Sequence, residues 1–291
     1  TLFRSSSTSD EAALKSALLP VLRPFGSAGA ELAVLLAQIA RQQRELLILG
    51  QVGGKAPSKI ERRNGQAYMQ GWETFDDVAS LVAGLPGVPR IQTQPDKLGL
   101  VSMRNPLHPG PSYSKELRPL LAAMASTFAV HHSKLAALQS KVPTDAAPLM
   151  QELVDAAQMN ALRARQLLGL YDYVDGLDLL GKPSAAAKVR LKDARDALDA
   201  AIQVVARREK SYRVPVARVA GWGQNPTAYP FGFLWTVHTL HYWWRDEGKA
   251  VEGPTSPCYL NIIDPTDVAF GEGFWVDAAP TIQSVLKAVG L

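Results

Sequence analysis

Along the middle of the chain, apolar side chains return at alternating intervals of four and three residues, the period of a helix that buries one stripe. From Ser114 onward the stripe reads Leu117, Leu121, Met124, Phe128, His131, Leu135 and Leu138. The Pro143–Thr144–Asp145 break ends it, and a second stripe runs through Leu153, Ala157, Asn160, Ala164, Leu167, Tyr171 and Val174. Gly181 and Pro183 punctuate next, with proline suited to a helix start, before a third stripe of Ala187, Leu191, Ala194, Leu198, Ala201 and Val205. Long amphipathic helices joined by short breaks bury such stripes most simply by packing antiparallel. The aromatic run after Pro230 predicts a fourth helix, so a four-helix bundle is expected from about Ser114 to Gly248.

Upstream, the pattern predicts a helix over 9–22, with Ser9 and Asp10 at the N-cap and Pro20 ending or kinking it. A second is predicted over 28–50, where Leu32, Leu35, Leu36, Ile39 and Leu46 fall on overlapping faces and Gly50 suits a C-cap. Residues 76–85 predict a shorter helix, and the polar, Gly-rich stretch Gln51–Gln66 a loop. Residues 84–113 are dense in Pro and Gly, with Leu98–Met103 as the predicted strand, and form the weakest join in the chain. Two regions result, 1–112 with the N-terminal helices and the long loop, and 113–291 with the bundle and a closing segment, unless both form one continuous domain. Within that segment Pro257–Asn261 and Gly271–Asp277 read as short extended pieces, and Thr281–Val289 as a last helix. The expected fold class is mainly α: an antiparallel helical bundle with irregular loops and a short, partly extended C-terminal segment.

Composition narrows the partners. Hydrophobic residues at 47% and charged residues at 20% describe a globular, soluble chain. No apolar run reaches the roughly 18 residues that a membrane span needs, so no transmembrane segment is expected. The net charge of +4 is small, and the basic groups at Arg207, Arg208, Lys210, Arg213 and Arg218 and at Lys59, Arg62 and Arg63 do not interleave aromatics, which argues against nucleic acid. A single cysteine, Cys258, excludes an internal disulfide and any multi-cysteine metal site. Thr1 in place of an initiator methionine predicts a processed chain, whose partners would be other protein chains or a further domain of the same precursor.

Candidate chemistry concentrates in the aromatic helix. Phe233, Val237, Leu240 and Trp244 share one stripe, and Leu234, His238, His241 and Arg245 share the next. His238, His241 and Arg245 are the candidate catalytic residues, the guanidinium clamping a carboxylate or phosphate while a histidine serves as general acid or base. Trp235, Tyr242 and Trp244 offer flat faces for a small-molecule ligand such as a sugar ring. His238 and His241 also present two imidazoles to one point, where a metal would need further ligands from such carboxylates as Asp246, Glu247, Asp264, Asp267 or Glu272. The competing reading is an aromatic core helix with a polar flank. His131 and Asn160 each fall on an apolar seam, where antiparallel packing can join them as a buried polar pair that fixes register. A haem ligand is the alternative for that histidine, without an attachment motif to support it. Phosphate-loop, dinucleotide and serine-elbow patterns are absent. The expected function is a helical binding or interaction module. One alternative is an enzyme, hydrolase or oxidoreductase, with its site beside His238, His241 and Arg245; the other is a metal- or haem-binding helical protein.

Overall fold

The computed structural model describes residues 7–55, 64–70, 98–100, 103, 112–211, 240, 243–244, 246–248 and 250–251. They are mainly helical, with no strand among the described residues. Their α-helices are α1 (Ser7–Val21), α2 (Gly29–Gln43), α3 (Asn64–Gln70), α4 (Arg118–Leu138), α5 (Ala147–Asp175) and α6 (Ala185–Ser211). The chain divides into two compact units. The first holds α1 to α4 and α5 as far as Gly169; the second holds the rest of α5, α6 and the described helical residues 240, 243–244, 246–248 and 250–251.

In the first unit α1 starts two residues before its expected cap, so Ser9 and Asp10 lie inside its first turn. The Asp10 carboxylate there opposes the positive end of the helix dipole. Pro20 stands in the last turn and the helix stops one residue later, as the missing N–H requires. Leu22 and Phe25 then turn inward in a tight connection to α2. α2 widens into a π-helical turn at Arg44–Ile48, where Leu49 N–H donates to Arg44 O at 3.0 Å, and Gly50 ends it with φ 60°. α3 begins at Asn64, inside the stretch predicted as loop. Its backbone runs so close to α2 that a Cβ on Gly65 would stand 2.2 Å from Leu46 O, so only glycine fits there.

All seven positions of the first predicted seam, Leu117 to Leu138, are at most 4% exposed, so α4 buries the stripe that its sequence displays. Pro119 sits at the start of that helix, where its absent N–H is harmless. Leu135 and Leu138 pack in one cluster with Phe25, Leu32 and Leu35 on one side and Met150 and Val154 on the other. The α5 seam divides. Ala164 and Leu167 are buried, but Leu153, Ala157 and Asn160 are half-buried, and Met150, Val154 and Ala161 take the core beside them. A straight helix drifts about 20° per heptad against a four-three stripe. The two heptads between Leu153 and Leu167 therefore rotate the stripe partly out of the core.

Arg163 of α5, 2% exposed, secures the C-terminal end of α3. Its Nε donates to Met69 O at 3.1 Å, its Nη2 to Tyr68 O at 3.4 Å and its Nη1 to Gln166 Oε1 at 2.5 Å. A cation at that end also complements the α3 dipole. The Tyr68 hydroxyl donates to Leu98 O at 2.8 Å and accepts from Leu98 N–H at 3.1 Å. These bonds correct the expected strand at Leu98–Met103: the Leu98 backbone is satisfied by a side chain, and Leu98–Leu100 is not extended in a sheet.

The second unit contains the buried end of α5, with Tyr171 and Val174, and most of the third predicted seam. Ala187, Ala194, Leu198, Ala201 and Val205 of α6 are buried, while Leu191 is half-buried. Within the turn before α6, the Asp178 carboxylate accepts from Leu180 N–H at 2.9 Å and Lys182 N–H at 2.7 Å. Ser184 Oγ caps α6 by accepting from Ala187 N–H at 3.1 Å, so Pro183 stands one residue before the cap rather than within the helix. The predicted helices at 76–85 and 281–289, the extended pieces at 257–261 and 271–277, and most of 84–113 lie outside the described residues.

Candidate functional site

Where α5 presents Ala157 toward α2 and α4, the three helices leave space between them. A cavity of about 120 Å³ is lined by Leu36, Ile39 and Gln43 of α2, Phe128, His131 and Leu135 of α4, and Leu153, Ala156, Ala157 and Asn160 of α5. Ala156 is exposed, so the rim on the α5 side meets solvent. Among the described residues of the lining, all but His131, Gln43 and Asn160 are apolar, and none carries a full charge near neutral pH. For scale, an apolar cavity of roughly 150 Å³ can hold benzene.

His131 sets the electrostatics of this cavity. It is 4% exposed, and its Nε2 lies 2.6 Å from Gln42 Oε1. A carboxamide oxygen only accepts, so Nε2 donates and Nδ1 keeps the lone pair. Among the described residues no donor is paired with Nδ1. Burial lowers the imidazole pKa from 6.5 to about 4, with a smaller contribution from the nearby Lys134 charge. The ring is therefore neutral near pH 7. It also lies 5.8 Å from the Phe128 ring, tilted at 35°, in contact with an aromatic wall.

The expected His131–Asn160 pair is corrected by this geometry. Both residues line the cavity, but the imidazole is bonded to Gln42. The reason is the packing of α2 beside α4, which brings in a carboxamide from 89 positions earlier in the chain. Gln42 and Gln43 sit within the polar run Arg41–Glu45, so nothing in the sequence singles out Gln42 as the partner.

Of the residues singled out in the aromatic run, His238, His241, Arg245, Trp235 and Tyr242 lie outside the described residues. Trp244 is 47% exposed, whereas Trp243, absent from the predicted stripes, is 1% exposed. Leu240, Asp246 and Ala250 are buried with Trp243. Trp244 therefore does not share the burial of Leu240, with which the sequence spacing grouped it. Glu247 is engaged by Arg195 of α6, Nε to Oε1 at 2.5 Å.

Among the described residues no three His, Cys, Asp or Glu side chains gather around a point where a metal ion could sit. No described helix is long and apolar enough to cross a membrane. No family model, characterised relative or solved structure matches the chain.

Proposed function

We propose that the chain is a helical binding module whose receptor site is the cavity between α2, α4 and α5. The observation that supports this reading is an apolar, partly open space of about 120 Å³ beside a polar anchor, the buried His131 bonded to half-buried Gln42. The rim meets solvent, so water reaches the apolar walls, and a fitting apolar group gains by removing that surface from water. Among its described residues the lining holds a single titratable side chain, and its partner is a carboxamide rather than a second acid or base. Such an arrangement suits holding a molecule better than turning one over.

Titration with benzene tests the reading. Binding should raise the melting temperature and shift the NMR resonances of Phe128, Leu135 and Leu153. Ala157→Leu, which fills the space with protein, should abolish both effects while the variant stays folded. An unchanged melting temperature and spectrum at saturating benzene would overturn the reading.

A further inference from the structure

We propose that the turn between α5 and α6 is a membrane-surface anchor, whose two tip leucines dip into a phospholipid bilayer that carries anionic lipid. The proposal is independent of the cavity in the first unit. Leu179 is 102% exposed and Leu180 80%, so nothing in the fold shields either side chain. Apolar side chains of this size gain by turning back onto the nearest apolar surface. Here the backbone holds them out. Gly181 takes a φ of 77°, Leu177 and Pro183 form an antiparallel bridge, and the Asp178 carboxylate accepts from Leu180 and Lys182 N–H at 2.9 and 2.7 Å.

The same bonds prepare the turn to leave water. A backbone N–H that enters lipid needs a partner inside the protein. Asp178 N–H donates to Lys182 O at 3.0 Å, Gly181 N–H to Asp178 O at 2.9 Å and Ser184 N–H to Gly176 O at 3.2 Å. Pro183 has no N–H to satisfy. Among the described residues from Gly176 to Ser184, only Leu179 has an N–H without a partner.

Charge selects the lipid. The stretch 172–190 carries three acids and three bases, but the acids are engaged. Asp172 is paired with Arg190 at 3.8 Å, the Asp178 carboxylate is bonded within the turn, and Asp175 also has a partner in the chain. Lys182 and Lys188 are exposed and form no ion pair among the described residues, so the free charges beside the leucines are positive. Their long stems reach headgroup phosphates while the leucines sit deeper. A protein partner suits the turn less well. Two leucines offer on the order of 300 Å² against the roughly 1,200 Å² that a stable protein interface buries, whereas a bilayer asks for depth and not for a matching surface.

Cosedimentation of the full chain with vesicles of phosphatidylcholine, with and without phosphatidylserine, tests this. The chain should bind the mixed vesicles, and pure phosphatidylcholine at least tenfold more weakly. Leu179→Ser combined with Leu180→Ser should weaken binding to the mixed vesicles at least tenfold and leave the melting temperature unchanged, since neither side chain is buried. Lys182→Gln and Lys188→Gln should each cost about fivefold on the mixed vesicles and less than twofold on phosphatidylcholine. In the wild type, a lipid with a paramagnetic label in its acyl chain should broaden the methyl resonances of Leu179 and Leu180 before those of the buried Leu120 and Leu121. No sedimentation with either vesicle, or equal binding by the double serine variant, overturns the anchor. Equal binding to the two vesicles overturns the choice of anionic lipid. Self-association without lipid that the serine variant abolishes also overturns the anchor and assigns the turn to a second copy of the chain.

Discussion

Acid should weaken the first unit through His131 in a pH window set by its burial. Its folded-state pKa is about 4, against 6.5 for an exposed imidazole. The fold thus favours the neutral ring, and between those two values the unfolded chain binds more protons than the folded one. Stability must then rise with pH across the window. The contribution is complete above pH 6.5, falls as the pH drops, and is fully lost below about 4. A shift of this size corresponds to roughly 3 kcal/mol at most, from 1.36 kcal/mol per pKa unit. Desolvation dominates, and Lys134, three residues along α4, adds a like charge. Neither Gln42 and Gln43 of α2 nor Asn160 of α5 offers a carboxylate to offset it. The assay is urea denaturation at pH 7, 6, 5 and 4 on the wild type and on His131→Leu. Carboxylates titrate in the same range in both proteins, so the difference between the two curves isolates the imidazole. That difference should shift by about 3 kcal/mol toward the leucine variant as the pH falls. Gln42 is only half-buried, so water can take over its carboxamide in the variant. Parallel curves would show that the ring protonates in the fold as easily as outside it, and would refute the burial argument.

Other substitutions probe separate links. Leu121→Ala, at a site with 0% exposure, should cost about 2–5 kcal/mol in urea denaturation, and Leu121→Asp should prevent folding by burying an unpaired charge. Arg163→Met should remove the guanidinium donors to the Met69 and Tyr68 carbonyls, at about 1–3 kcal/mol in all. The readout is faster amide hydrogen exchange confined to α3, and protection equal to wild type would count against the anchor. Ser184→Ala should lose the α6 cap, at about 0.5–2 kcal/mol, while Ser184→Gly should lose only a few tenths, both measured by thermal denaturation.

How much of this was legible in the chain depends on how many segments each feature needs. The α4 seam was legible residue by residue, because Leu117 through Leu138 write one period on one helix and their burial follows from that helix alone. The Leu98 strand was misplaced because local apolar character cannot show that a hydroxyl 30 residues away will satisfy its backbone. Trp243 and Trp244 differ by one 100° step, and the phase of a stripe is fixed only by what packs against it.

The cavity needs three segments at once: Ile39, Phe128 and Ala157 belong to different helices, and no sequence window contains two of them. Its cause can nevertheless be traced to the sequence. A four-three stripe on α5 cannot stay aligned with the core over two heptads unless the helix supercoils. Where it drifts outward, the chain supplies Ala156 and Ala157, too small to reach across to α2 and α4. A bulky residue at Ala157 would fill the gap from the α5 side. Two adjacent alanines, beside a histidine whose tautomer is fixed from a third helix, make the opening a consequence of composition and helical winding together.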